Sequence, residues 1–208
     1  MLRRALFVLI PLTVFFAQPT HAALGPTDTV KKAIGEILIV LKNQRLERQE
    51  QWKRIAPIIN KNFDFRAMSQ SILATHWESA SRSEQRQFVE YFSQYLEDTY
   101  RTKIEGYTDQ QIKYTRERVR GGRAIVDTVI VTENAEIPVS YKMRNKKDKW
   151  LAYDVVIEGA SLVNSYRNLY AALGKTSGVQ GILLDLKLRV DENREIETAT
   201  GSAAPTNP

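Results

Sequence analysis

Apolar residues recur at the 3.6-residue period of a helix through the first half of the chain. In the first helical stretch, Ile39 and Val40 widen the apolar stripe beyond a single face. Asp64 stands where its side chain can cap the third helix, and Ser81 with Glu84 forms a capping box before the fourth. The pattern predicts helices over residues 30–41, 47–60, 64–77 and 81–104.

The period then shortens to two, because β-branched and aromatic residues alternate with polar ones. This alternation predicts four strands, over residues 112–119, 125–131, 137–143 and 150–157. Helical spacing returns afterwards and predicts two more helices, over residues 161–174 and 178–190. Helices that flank a strand meander, rather than alternating with its strands, predict an α+β fold with an antiparallel sheet.

The first 22 residues have the order of a secretory signal peptide. Arg3 and Arg4 precede an apolar run at 5–17, and small residues precede a cleavage site after Ala22. The run is shorter than the roughly 20 residues that span a bilayer, so we expect cleavage and an exported, soluble protein. We expect one domain over residues 23–190 and a disordered acidic tail over residues 191–208.

Composition narrows the chemistry that the chain can perform. It has no cysteine, which excludes thiolate zinc sites, cysteine nucleophiles, disulfides and a lipoprotein anchor. Cleavage removes Arg3 and Arg4, so the net charge falls from +6 to +4. In an exported protein, this basic charge favours contact with anionic lipid surfaces or acidic proteins over nucleic acid, and simple solubility is the alternative.

The sequence lacks several common motifs of catalytic and phosphate-binding sites. There is no Gly-x-Ser-x-Gly elbow, and Gly174-Lys175-Thr176 is not a phosphate loop because Leu169 stands where its first glycine would be. We therefore predict no catalytic residue, metal or cofactor. Asp127 or Asp154 could act as a base if it lay in an apolar pocket. The many apolar and aromatic residues fit either a filled core or a cavity.

Two sets of residues, in order and at the right spacing over about 28–188, resemble the MlaC family, also called the toluene-tolerance auxiliary family. The first set is Phe63-Asp64-Phe65-x-x-Met68, Leu73, Trp77 and Gln85-Arg86-x-Phe88-x-x-x-Phe92. The second is Val139-x-Tyr141, Trp150-x-x-Tyr153-Asp154-Val155-x-Ile157-Glu158-Gly159-x-Ser161-Leu162 and Ser165-Tyr166-Arg167. One departure is Ala74, where the family pattern has glycine.

The resemblance implies a twisted sheet of four to five antiparallel strands, packed against several helices and enclosing an apolar lipid pocket. It also implies a periplasmic phospholipid carrier, whose only ligand is its cargo. The oligomeric state stays open, although a shuttle is most simply a monomer. Such a carrier shuttles lipid between an outer-membrane lipoprotein–porin complex and an inner-membrane ABC-type lipid transporter with a periplasmic substrate-binding ring. This traffic maintains the lipid asymmetry of the outer membrane.

Within this interpretation, apolar residues of the predicted strands and helices are candidates to line the pocket. They are Leu38, Phe92, Tyr95, Ile137, Val139, Tyr141, Leu151, Tyr153, Val155, Leu162, Tyr166 and Leu169. Arg167 is the candidate for the head-group phosphate, since a guanidinium matches phosphate geometry. Two alternatives stay open: an enzyme of cone-shaped α+β fold with an aspartate base in an apolar pocket, and a ligand-free periplasmic adaptor.

Overall fold

The computed structural model of the protein describes residues 23–107 and 110–201, with side chains as far as Ile196. The predicted signal peptide therefore lies outside the described residues, as do the last seven residues of the predicted tail. No helix in the described part of the chain is both long enough and apolar enough to cross a membrane.

Helices flank a single antiparallel sheet, which confirms the predicted α+β order. The helices are α1 (Pro26–Leu41), α2 (Arg48–Asn62), α3 (Phe65–Leu73), α4 (Thr75–Ser79), α5 (Arg82–Glu105) and α6 (Leu162–Gly201). The strands lie in chain order, as β1 (Gln111–Arg120), β2 (Arg123–Val131), β3 (Glu136–Lys146), β4 (Lys149–Ile157) and the short β5 (Ala160–Ser161). The sheet thus has the four to five strands that the resemblance implied.

Local capping sets the starts of α3 and α5 as predicted. The carboxylate of Asp64 accepts a hydrogen bond of 3.0 Å from the backbone N–H of Ala67. The Ser81 hydroxyl accepts from the N–H of Glu84 at 3.2 Å, and the Glu84 carboxylate accepts from the N–H of Ser81 at 2.8 Å. Each bond satisfies an N–H group that a helix start would otherwise leave unpaired.

The filled core lies where α3, α5 and α6 pack together. Its fully buried members include Met68, Phe88, Phe92 and Leu186. A smaller cluster joins α1 to the sheet through side chains of Val30, Ala124, Val126 and Met143.

Helix α6 differs from the prediction at two points. Gly178, with φ of 62° and ψ of −163°, interrupts it, so the break falls four residues after Gly174. Gly174 instead lies inside the helix, where a Cβ atom would come within 2.5 Å of Nε2 of His76.

The helix also continues to Gly201, and an ion pair of 2.6 Å joins Lys187 and Asp191 along it. The predicted disordered tail is therefore helical over its described part.

The single predicted helix over 64–77 is divided at Ala74, between α3 and α4. Ala74 has φ of 50° and ψ of −118°, a conformation that glycine adopts far more easily than alanine. The glycine that the resemblance leads us to expect at this position would adopt this conformation without strain.

We predict that Ala74→Gly raises the free energy of unfolding by about 1 kcal/mol, because it removes the strain of a positive φ. Ala171, exposed in the regular part of α6, is the matched control. There, Ala171→Gly is expected to lower the free energy of unfolding by about 1 kcal/mol. Urea unfolding of both variants measures the two values. Equal destabilisation by both changes would contradict the strain at Ala74.

Candidate functional site

An apolar cavity lies between the sheet and the helices α1, α2 and α5. Its volume is about 290 Å³, and all the space between atoms in this cleft, including the part that opens to solvent, is about 1480 Å³. The helices contribute the apolar side chains of Ile34, Ile37, Leu38, Leu41, Trp52, Ala56, Ile59, Leu96, Tyr100 and Ile104. The sheet contributes Ile112, Ile130, Val139, Tyr141, Met143, Ala152, Val155 and Ile157.

Hydrogen bonds attach α1 and α2 to each other and to the sheet near the ends of the two helices. At the start of α1, the backbone N–H of Thr27 donates to the carboxylate of Glu117 at 2.8 Å. At the turn between the helices, the amide of Gln51 donates to the carbonyl oxygens of Leu41 and Asn43, both at 3.2 Å. After α2, the N–H of Asp64 donates to the carbonyl of Ala152 on β4 at 2.8 Å. Between these attachments the two helices lie over the sheet as a cover.

The apolar side of α1 is only partly covered by protein atoms. Of its 16 residues, Pro26 and Val30 alone are buried. Ile34, Ile37 and Leu38 line the cavity but remain half-exposed. In a filled core, inward-facing residues of this kind would be buried against neighbours. This uncovered apolar surface therefore favours an apolar ligand as the missing neighbour.

The polar groups at the cavity wall are few. Glu97, the one charged side chain in the described wall, accepts a hydrogen bond from the indole N–H of Trp52. The guanidinium of Arg101 lies over the same indole, 5.3 Å from its centroid. Burial raises the pKa of Tyr107 to about 12 and shifts the pKa of Tyr141 in the same direction, so both hydroxyls are neutral at physiological pH. The wall thus presents a nearly uncharged surface.

Five of the predicted pocket residues lie at this wall: Leu38, Val139, Tyr141, Val155 and Leu162. The three sheet residues share one face, since Val155 pairs with Tyr141 and Tyr141 lies two residues from Val139 on β3. Contact of these side chains with a lipid stays a prediction.

Two of the β4 candidates lie elsewhere because the strand contains a bulge. Asp154 pairs with Lys142, but the next residue of β3, Met143, pairs with Ala152, which leaves Tyr153 as an extra residue. Strict alternation predicts Leu151, Tyr153 and Val155 on one face. With the bulge, Ala152 and Val155 face the cavity. The ring centroid of Tyr153 lies 5.8 Å from the guanidinium carbon of Arg123. Leu151 borders a separate, smaller cleft.

The aromatic candidates of α5 and α6 belong to the filled core. Phe92 and Tyr166 meet edge to face with ring centroids 5.2 Å apart, and Tyr95 meets Tyr166 in the same way at 5.8 Å. These contacts lie on the side of α5 that faces α6, away from the cavity. Leu169 is 46% exposed on α6, and half-buried Ile137 is absent from the cavity wall. Their assignment to the pocket is therefore corrected.

Arg167 does not point to a head-group site. Its Nε donates to the backbone carbonyl of Ser71 at 2.7 Å, and Nη1 lies 3.4 Å from the side-chain oxygen of Asn164. The side chain joins α6 to the end of α3 and does not border the cavity. The contacts that the structure shows for Arg167 are structural ones, outside the wall of the cavity.

The two aspartates considered as bases also lie outside the cavity wall. Buried Asp154 accepts hydrogen bonds from Lys142 Nζ at 2.9 Å, from the Ser161 hydroxyl at 2.7 Å and from the Val163 N–H at 3.1 Å. It therefore fixes the start of α6.

Asp127 pairs with Arg118 at 2.8 Å on the face of the sheet opposite to the cavity. Within the described residues, no three His, Asp or Glu side chains are placed to hold a metal. The enzyme alternative thus lacks its proposed base.

Comparison with known proteins agrees with these features. A model of the family described as MlaC protein matches residues 31–188. This chain belongs to the MlaC family. The family assignment confirms the resemblance that the residue patterns indicated.

Similar MlaC-family proteins include the toluene tolerance protein ttg2D of Pseudomonas putida, which is 26% identical over 184 residues, covering 85% of this chain and 84% of the relative. The intermembrane phospholipid transport system binding protein MlaC of Haemophilus influenzae is 20% identical over 122 residues, 56% of this chain and 57% of that protein. The phospholipid-binding protein from Ralstonia solanacearum, solved in complex with a phospholipid, matches with a TM-score of 0.76 and 22% identity, covering 82% of this chain and 99% of that one. It has the same fold.

Sequence reasoning missed most of the helical wall of this MlaC-family cavity. Ile37 and Leu41 on α1, Trp52 and Ile59 on α2, and Ile104 on α5 all line it. The one available signal was the width of the apolar stripe on α1, which exceeds what one buried face needs.

We predict that leucine truncation separates the filled core from the cavity wall in lipid-free protein. Leu186→Ala, at a fully buried position, should lower the free energy of unfolding by about 3–4 kcal/mol, because it leaves a void. Leu38→Ala should cost only about 1 kcal/mol, because its side chain is already half-exposed in the wall. Urea unfolding after lipid extraction measures both values. Equal losses would contradict the distinction.

Proposed function

We propose that this protein is a periplasmic phospholipid carrier that encloses the acyl chains of its cargo in the cavity beneath α1 and α2. The single observation that carries the proposal is the nearly uncharged cavity whose apolar wall the protein leaves only partly covered. A ligand-free adaptor with a filled core would have no use for such a wall. The carrier is proposed to act as a monomer.

The energetics require a closed apolar space for this task. A phospholipid has about 30 methylenes, and exposing each to water costs about 0.8 kcal/mol, or roughly 24 kcal/mol in all. At about 30 Å³ each, close to the share of a water molecule in the liquid, these methylenes need about 900 Å³. The space of about 1480 Å³ between the atoms of this cleft, which includes its part open to solvent, is of the same order as that volume.

The relatives support the same cargo and route. The Ralstonia solanacearum protein of the same fold is a phospholipid-binding protein solved with a phospholipid, and the Haemophilus influenzae relative is named for intermembrane phospholipid transport. We propose that this chain likewise moves phospholipid between an outer-membrane lipoprotein–porin complex and an inner-membrane ABC-type transporter with a periplasmic substrate-binding ring. Export would follow from the predicted signal peptide at residues 1–22.

We predict that Val139→Arg empties the cavity. Val139 is 5% exposed and lies in the sheet wall, so an arginine there would place a charge where the acyl chains must pack. Lipid per protein, measured by extraction and mass spectrometry after purification without detergent, should fall about tenfold or more, which corresponds to at least about 1.4 kcal/mol of binding free energy.

The control for this change is Val119→Arg, since Val119 is a strand valine that is 52% exposed and lies outside the wall. It should retain wild-type lipid content. Ala56→Trp, which fills cavity volume without adding charge, provides a second test should Val139→Arg fail to fold. Full lipid content in folded Val139→Arg and Ala56→Trp would refute the cavity as the site of the chains.

A further inference from the structure

A second, smaller cleft adjoins the apolar cavity. It lies between α1, the end of α2 and the hairpin that joins β3 to β4, and its volume is about 190 Å³. Thr29, Ala33 and Asn62 line both spaces, so the two are neighbours across a shared wall. A lipid head group at this edge of the apolar cavity would therefore lie next to the cleft.

The charges of the two spaces differ. The described wall of the cavity has one charged side chain, Glu97, whereas the small cleft is bordered by Lys32, Lys61 and Lys149. Lys61 and Lys149 have no carboxylate within 4.0 Å in the described part of the chain, in contrast to Lys32, whose Nζ lies 4.0 Å from the carboxylate of its own helix neighbour, Glu36.

The cleft also contains two carboxylates, Glu36 and Asp148. They reduce the positive charge of the three lysines to a small net excess. Such a mixed site is poorly suited to a broad anionic membrane surface, which attracts an extended basic patch. The small net positive charge of the cleft suits a single phosphate group instead. The two carboxylates can pair with an amine on the same head group.

The distances along α1 agree with this arrangement. From Thr29, which borders the cleft, to Leu41, at the far end of the cavity wall, α1 rises by about 18 Å at 1.5 Å per residue. One leaflet of bilayer hydrocarbon is about 15 Å thick, half of the roughly 30 Å core. Acyl chains that run along α1 from the cleft would thus reach the other end of the cavity.

We propose that this cleft binds the phosphate of the glycerophospholipid whose chains occupy the apolar cavity, with Lys61 and Lys149 as its donors. The inference rests on the proposed carrier function and adds a head-group site to it. Lysine ammonium groups bind phosphate as point charges, and both lysines are exposed at the rim of the cleft, where a phosphate can reach them. The site would distinguish a phospholipid from an uncharged lipid with the same two chains.

The test compares a phosphatidylethanolamine with a diacylglycerol of identical chains. Delipidated protein is equilibrated with equal amounts of both lipids, and native mass spectrometry measures the ratio of the two complexes. The test variant is Lys61→Gln/Lys149→Gln. The control is Lys53→Gln/Lys175→Gln, which removes the same charge at exposed lysines that border neither space.

We expect wild-type and control protein to prefer the phospholipid by about tenfold or more, and the test variant by about twofold or less, since hydrogen bonds to charged groups dominate this difference. A test variant that keeps the full preference, or a wild-type protein that loads both lipids equally, would overturn the head-group site and leave the carrier intact. A wild-type protein that loads neither lipid would overturn the carrier itself.

Discussion

The attachment of α1 and α2 at their ends is the constraint on which the site depends. The Thr27–Glu117 and Asp64–Ala152 bonds hold the pair to the sheet, and the Gln51 amide joins the two helices to each other. Between these points Val30 and Ile55 are buried, whereas the other apolar side chains that line the cavity face open space. The protein can leave this surface uncovered because α3, α5 and α6 form an adjoining filled core that supplies stability. Function and stability thus rest on different parts of one fold.

Helix α5 separates these two parts. One side contacts α6 through edge-to-face aromatic pairs, such as Phe92 with Tyr166, and another side gives Tyr100 and Ile104 to the cavity. At the junction of sheet and core, buried Asp154 fixes the start of α6 by accepting three hydrogen bonds. A carboxylate that could suggest catalysis in the sequence is therefore a structural anchor. Its burial is compensated by its partners, as buried charges require.

The sequence predicted the elements well because helices and strands follow from local periodicity and caps. The capping box at Ser81 and the sheet meander are examples. The site was harder to predict because it depends on register and on which side of a helix meets which neighbour. The bulge at Tyr153 changes the face of every residue before it on β4, and alternation alone gives no sign of it. Phe92 and Ile104 both belong to the apolar face of α5, yet one lies in the core and the other at the cavity.

The central claim is that the cavity holds the acyl chains of a phospholipid. Native mass spectrometry of the protein over residues 23–208, purified without detergent and followed by solvent extraction and lipid analysis, tests it most directly. The account predicts a complex whose mass exceeds that of the polypeptide by one or two phospholipids and that survives washing. A bare polypeptide mass, from protein that never met detergent, would contradict it.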